Sequence, residues 1–382
     1  MKQMKVAVAA MAVCTAAPAV FAGLYGDTPD AKHAWSVHDM NRPRPAVITA
    51  EPGKAPSDAV ILFDGTSLDA WRSGQDDACK WKIVDGGAME VVPKTGEIHT
   101  KDAFGDCQLH IEFATPAKVE GSSQGRGNSG VFLMGMHEIQ VLDCFENDTY
   151  PDGQCSSVYA ENPPLVNACR KSGEWQTYDI IFHQPIWDGE KVKYPGTVTV
   201  IHNGVLTQDN WEFEGLSTHC QRKPLKPYAN KQPLRLQDHG NPMRFRNIWI
   251  REIPSRYANT THGGPAASEA DVMALRQKMA AKLFEAANPG DASKSAALGR
   301  LLEVIGYDKA DVYMKAVADV TEAYLKELAG LDKQKLQDRK GEIIGLRNNC
   351  NVLTRNKVVA EDFRLKAELQ RIINENGFEK KK

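Results

Sequence analysis

Between residues 57 and 254 apolar and polar positions alternate with a period of two. "CQLHIEFAT" sets Leu109, Ile111 and Phe113 against Gln108, His110 and Glu112, and "EWQTYDIIFHQ", "GTVTVIHNG" and "FRNIWIREI" keep the same rhythm. "AVILFDG" is an apolar run stopped by a turn, and "SGVFLMGMHEIQVLD" reads as the two strands of a hairpin. Gly, Pro and Asn turns separate these runs and no helical stretch intervenes, so the pattern predicts an antiparallel sandwich or jelly roll. Each such strand gives one face to a core between the sheets and the other to solvent.

The period then changes. Residues 255–265, "SRYANTTHGGP", carry no strand rhythm and read as a linker. From 266 to 382 the spacing is helical. Ser268 stands where an N-cap belongs, and Val272, Leu275, Met279 and Leu283 recur at three and four. "DKADVYMKAVADVTEAYLKELAG" and "VVAEDFRLKAELQRIINENG" repeat the theme, which predicts a bundle of four or five amphipathic helices ending in a solvated "EKKK". This helical region offers the surface for a protein partner.

The first residues read as an address. A basic start, Met1-Lys2-Gln3-Met4-Lys5, precedes a short apolar run, and "APAVFAG" puts Val20 and Ala22 where a signal peptidase wants small residues. Residues 1–22 are therefore expected to be a signal peptide cut after Ala22, giving a periplasmic or secreted protein; Val13 before Cys14 fits lipid attachment poorly. The apolar run is too short to span a bilayer, and no later segment is apolar enough to do so. Residues 23–56, rich in Pro and Ala, read as an extension looping over the surface.

Export changes the reading of the cysteines. Beyond Cys14 there are seven: Cys79, Cys107, Cys144, Cys155, Cys169, Cys220 and Cys350. In an oxidising compartment they point to disulfides rather than metal, no CxxC pair suggests zinc or redox work, and an odd number leaves at least one thiol over. Cys144 and Cys155, flanking a turn-rich loop, are the favoured pair. The remaining composition is ordinary for a globular chain of 382 residues, with 42% hydrophobic and 25% charged. A formal net charge of −2 gives no electrostatic case for nucleic acid or an anionic membrane.

Polar side chains gather on particular strand faces and ends. In "MHEIQVLD" Glu138 and Gln140 point away from Ile139 and Val141; in "PLRLQDHG" Arg235 and Gln237 oppose Leu234 and Leu236. His202 shares a face with Val198 and Val200 and is a further substrate-binding candidate. A concave sheet face set with carboxylate, amide and guanidinium groups suits sugar hydroxyls, and Trp175, Trp187 or Trp211 would supply an aromatic plate. "QGRGNSGVF" is glycine-rich but does not pass from strand to helix, so it is no phosphate loop and a nucleotide cofactor is not expected; Arg126 and Asn128 would reach from it into a site. Against this stand plainer readings. Glu138 and Gln140 would be solvated strand residues, Asp238–His239 a turn pair in which Asp accepts backbone hydrogen bonds, and His110 and His137 surface residues. None of these spacings is a metal signature.

Five separated blocks, "LFDGTSLDAW", "RGNSGVFLMGMHEIQVLD", "NPPLVNACRKSGEWQTYDIIFHQP", "VTVIHNGVL" and "PLRLQDHGNPMRFRNIWIREI", resemble in order the 3-keto-disaccharide hydrolase family, from about Ala59 to Ile253. The resemblance does not reach the helical region. It implies a concanavalin-like jelly roll over 57–254 and cleavage of glycosides whose sugar carries a ketone at C3. Such a ketone acidifies the hydrogen on C2: a base removes it, the enolate expels the C1 substituent, and water adds to the enone. That chemistry asks for a base, a stabiliser of the enolate oxygen and an acid for the leaving group, not two spaced carboxylates. On chemical grounds Glu138 is the base, with Asp143 and His239 next in line. His239 or a divalent metal ion of unknown identity would stabilise the enolate, while Arg126 and Arg235 hold hydroxyls. The rival readings are a lectin-like carbohydrate-binding module, which would need no base, and an envelope protein whose helices do the work.

Overall fold

Leu109, Ile111 and Phe113 are fully buried while Gln108, His110 and Glu112 are half-buried, so the strand Cys107–Ala114 alternates as its sequence predicts. In the computed structural model, which describes residues 26–74, 78–255, 268–287 and 293–379, that strand lies in the middle of a large antiparallel sheet. Its order is Val205–Glu212, Thr197–His202, Trp175–His183, Cys107–Ala114, Arg244–Glu252, Ala88–Glu90 and Lys82–Val84, with Val60–Phe63 also paired to Arg244–Glu252. The small sheet runs Trp71–Ser73, Ile98–Phe104, Gln232–Leu236, Ser129–Leu133 and His137–Val141, again antiparallel. Leu109, Phe113, Ile180 and Phe245 from the large sheet meet Ile98, Val131, Ile139 and Leu236 from the small one in a single core. Burying each such side chain contributes about 1.5–3 kcal/mol.

The described residues form two compact units. One is Pro45–Ala258, and the other joins the segment ending at Arg44 to the helical residues. Six helices follow the sandwich among the described residues: Glu269–Ala286, Lys294–Tyr307, Asp311–Ala329, Lys333–Asp338, Lys340–Arg355 and Arg364–Glu375. Ser268 caps the first, its hydroxyl accepting from the Asp271 N–H at 3.1 Å while the Asp271 carboxylate accepts from the Ser268 N–H at 3.0 Å, a reciprocal cap of the kind whose loss costs roughly 1 kcal/mol. None of these helices is long and apolar enough to cross a membrane.

The extension read at 23–56 does not behave as one piece. Ala34 and Trp35 are buried with Val272, Met279 and Tyr307 in the helical unit, and the Tyr307 hydroxyl bonds Asp39. Spacing could not show this, because a lone Trp among polar residues has no period. The proposed signal peptide, its cleavage site after Ala22 and most of the linker read at 255–265 lie outside the described residues. Because the sandwich has its own core, Pro45–Ala258 produced alone is expected to fold, with a sheet spectrum in circular dichroism and a single cooperative melt. Insoluble or unfolded protein from that segment would contradict this.

Candidate active site

Antiparallel register puts the site together on the outer face of the small sheet. Glu138 stands opposite Phe132 across the hairpin, Phe132 opposite Arg235 on the next strand, and Arg235 opposite His99 on the one after. One rank further along, Gln140 stands opposite Gly130, whose carbonyl accepts from the Gln237 N–H at 3.1 Å. Ile139 and Val141 go to the core, which turns Glu138 and Gln140 the other way. Gly130 is where this face makes room. A Cβ there would lie 2.2 Å from Glu138 Oε1 and 2.8 Å from the Phe132 ring, so the carboxyl of Glu138 fills the space a side chain would take.

Glu138 and Gln140 line a cleft of about 690 Å³ with Asn128, Phe132, Gln237 and His239, walled by the loop around Gln124, by Tyr150 and Tyr159, and by Ser217, Thr218 and His219. Glu138 is only 5% exposed, and among the described residues its carboxylate accepts no hydrogen bond. Burial pushes its pKa up from 4.5 to about 8, against the pull of the Arg235 charge. Arg235 itself lies over the Phe132 ring, 3.6 Å from its centre, and is paired to Glu97 at 3.0 Å. Gln140 Nε2 donates to Gln124 Oε1 at 2.9 Å, and Asn128 Nδ2 donates to the Gln124 carbonyl at 2.7 Å. The Oε1 atoms of Gln140 and Gln237 are buried without a partner, an arrangement that suits donors brought by a ligand. On the opposite wall the Tyr159 hydroxyl joins the Tyr150 hydroxyl at 2.8 Å and His219 Nδ1 at 2.9 Å. Burial and the two neighbours Tyr150 and Glu138 keep the Tyr159 phenol protonated well past its ordinary range.

The family model described as a 3-keto-alpha-glucoside-1,2-lyase-like domain matches residues 58–251. The chain belongs to this family. A protein of Parabacteroides distasonis assigned to the glycosyl hydrolases has a solved structure 43% identical to this chain over 58% of it and 98% of its own length, with a TM-score of 0.55. Two further Parabacteroides distasonis structures with the same assignment are 18% and 23% identical. They cover 52% and 51% of this chain and 94% and 99% of their own, with TM-scores of 0.39 and 0.37. Among curated proteins nothing matches.

The lyase-like domain brings together Glu138, Gln140, Asn128, Gln237 and His239, and it keeps the other expected site residues out of the cleft. Arg126 is held by Asp143, Nε to Oδ2 at 2.9 Å, and by the Phe145 carbonyl at 2.8 Å. Asp143 also accepts from the Ser172 hydroxyl at 2.6 Å. The pair staples three loops together, so Asp143 is a filled acceptor rather than a reserve base. Trp175 lies on the outer face of the large sheet beneath the guanidinium of Arg246, 4.1 Å from the ring centre. Trp187 packs edge-on to Tyr228, and Trp211 packs against the sandwich core. His202 is fully buried, its ring against Tyr178. His137 is not a surface residue either. It is fully buried, 4.2 Å from the Phe213 ring and 2.9 Å from the Tyr228 hydroxyl, and burial lowers its pKa to about 4. Asp238 does accept the turn N–H bond expected of it, from Gly240 at 2.9 Å, and a second from the distant Gly96 at 3.0 Å.

The aromatic wall therefore comes from Phe132, Tyr150 and Tyr159, not from tryptophan. Tyr150, Tyr159 and His219 escaped the sequence reading because they sit in irregular loops, where no period marks a facing residue. As for a metal ion, the cleft gathers no three His, Cys, Asp or Glu ligand atoms among the described residues. The one such group is Cys155, Cys169 and His202, in the interior. The cleft does not fit a protein-held ion.

Proposed function

We propose that the domain cleaves 3-keto-glycosides by eliminating the C1 substituent and hydrating the product. The family is one of glycoside-acting enzymes, and the observation that carries the finer reading is that Glu138 is the single carboxylate lining the cleft among the described residues. Direct glycoside hydrolysis ordinarily needs two, an acid and a base or nucleophile. Elimination needs one base, provided the substrate hydrogen is already acidic. Ionised Glu138 takes the C2 proton, and the electron pair moves into the C2–C3 bond as the ketone becomes an enolate. His239, at the rim, donates to that oxygen. When the enolate collapses the C1–O bond breaks, and the hydrogen-bonded Tyr159–His219 pair gives the departing oxygen its proton. Water then adds at C1, giving one proton back to the Tyr159–His219 pair, while protonated Glu138 returns its proton to C2. Gln140, Gln237 and Asn128 hold hydroxyls, and Arg235 acts on Glu138 by charge rather than on the sugar. A lectin would need the amides and aromatic rings but would gain nothing from a buried carboxylate with a raised pKa.

The test is release of the aglycone from a 3-keto-glucoside beside its parent glucoside, which lacks the acidified hydrogen. Cleavage of the keto compound alone is expected. Equal cleavage of both would remove the keto chemistry, and binding of both without cleavage would favour the lectin.

The same reading fixes a pH dependence. The base must be ionised, and with a pKa of about 8 only about a tenth of the free enzyme carries it at pH 7. The value of kcat/KM should therefore rise with pH and level off above 8. Arg235→Met removes the charge that opposes the rise in pKa, so the limb should move to higher pH. A profile flat across this range in wild type would exclude Glu138 as the base.

A further inference from the structure

Away from the cleft, three thiols and an imidazole converge between the sheets. Cys144 follows the strand His137–Val141, Cys155 follows a short turn at Pro151–Gly153, Cys169 lies on the loop leading to Trp175, and His202 ends the strand Thr197–His202. The Cys155 and Cys169 sulfurs and a His202 ring nitrogen lie within 4.8 Å of one another. The Cys169 thiol is also in hydrogen-bonding contact with that of Cys144. Cys144, Cys155 and His202 are at most 2% exposed. All seven described cysteines are free thiols, so no S–S bond joins the expected pair Cys144 and Cys155.

The imidazole is the informative member. His202 Nε2 faces Gln176 Oε1 at 2.9 Å, an acceptor, which places the ring proton on Nε2. Nδ1 then carries a lone pair, and it is buried without a partner. Leaving such an acceptor unmet in a core is costly, and a disulfide between two of the sulfurs would leave it unmet. An amide oxygen orients the histidine through its other nitrogen, and the Cys155 N–H donates to Cys144 Sγ at 3.2 Å.

We propose that Cys144, Cys155, Cys169 and His202 Nδ1 bind one Zn²⁺ ion as a closed structural site. Three thiolates and one neutral imidazole are a tetrahedral zinc set, with ligand atoms roughly 3.5–3.8 Å apart, so the Cys155, Cys169 and His202 atoms need only a small contraction, and Cys144 joins them through its contact with Cys169. Loading releases the three thiol protons to solvent. The ion ties the stretch from Cys144 to Cys169, which carries Tyr150 and Tyr159 of the cleft wall, to the large sheet at His202. No CxxC spacing marks the site because its ligands come from four separated segments.

The full chain, purified without chelator from zinc-supplemented cells, should hold one equivalent of zinc after desalting. Its Co²⁺-loaded form should show a thiolate-to-cobalt charge-transfer band in the near ultraviolet. Cys155→Ser and His202→Asn should each lose that equivalent; because both substitutions fall in the core, the wild-type metal content and cobalt spectrum stand as the primary readings. A metal-free wild type lighter by two hydrogens would mean a disulfide, and a metal-free wild type with every thiol titrating would mean a plain thiol cluster. Either result overturns the proposal, as would zinc retained in full by both variants.

Discussion

Glu138→Gln should lower turnover of a 3-keto-glucoside by about 10²-fold or more, the usual contribution of a positioned base, while binding changes much less. The amide keeps the size of the carboxylate and can still meet a hydroxyl, but it cannot take the C2 proton. The same substitution should stabilise the fold in alkali. The folded pKa of about 8 lies above the ordinary value of 4.5, so the folded protein holds that proton more tightly than the unfolded chain. That contribution is fully present below the unfolded pKa and is lost as pH rises through about 8, where the fold must carry a buried anion that Arg235 offsets only in part. A neutral amide removes the penalty, which is on the order of a few kcal/mol for a shift of this size. A variant that is slower and, above pH 8, harder to melt marks a residue kept for chemistry rather than for stability. Glu138→Gln turning over as fast as wild type would place the base elsewhere, with His239, which also lines the cleft, next in line.

What the sequence made legible follows from period. Leu109, Ile111 and Phe113 show their face because alternation is a repeated signal, and Val272 and Met279 show theirs for the same reason. Glu138 and Gln140 were legible as a pair because they share a strand whose alternate residues are plainly apolar. His202 was misplaced despite sharing a face with Val198 and Val200: those valines face the core, and the strand carries its histidine in with them. Polarity alone suggested a ligand-binding role, although a buried imidazole that bonds Gln176 is consistent with its strand. Arg126 and Asp143 were separated from the site for a different reason. Seventeen residues apart, they pair with each other across two loops, and nothing in the spacing of loop residues announces such a pair. Tyr150, Tyr159 and His219 have the same cause in reverse.

Gly130→Ala should cost nearly as much activity as loss of the base itself, without removing any ionisable group. The added Cβ would meet Glu138 Oε1 at 2.2 Å and the Phe132 ring at 2.8 Å. The ring cannot retreat easily, since Arg235 lies 3.6 Å above its centre, so the carboxyl is the part that moves. A displacement near 1 Å at a reacting group can cost on the order of 10²-fold, and overpacking of this kind costs about 1–3 kcal/mol of stability. The loss should appear in kcat more than in KM, because Gln140, Gln237 and Asn128 keep their places. A double-mutant cycle separates this from general damage. If the methyl acts through Glu138, adding Gly130→Ala to Glu138→Gln should slow the enzyme little further, since the misplaced group no longer does chemistry. Full additivity of the two losses would show that the glycine serves the sheet rather than the base, and that the close approach of Glu138 to its backbone is incidental.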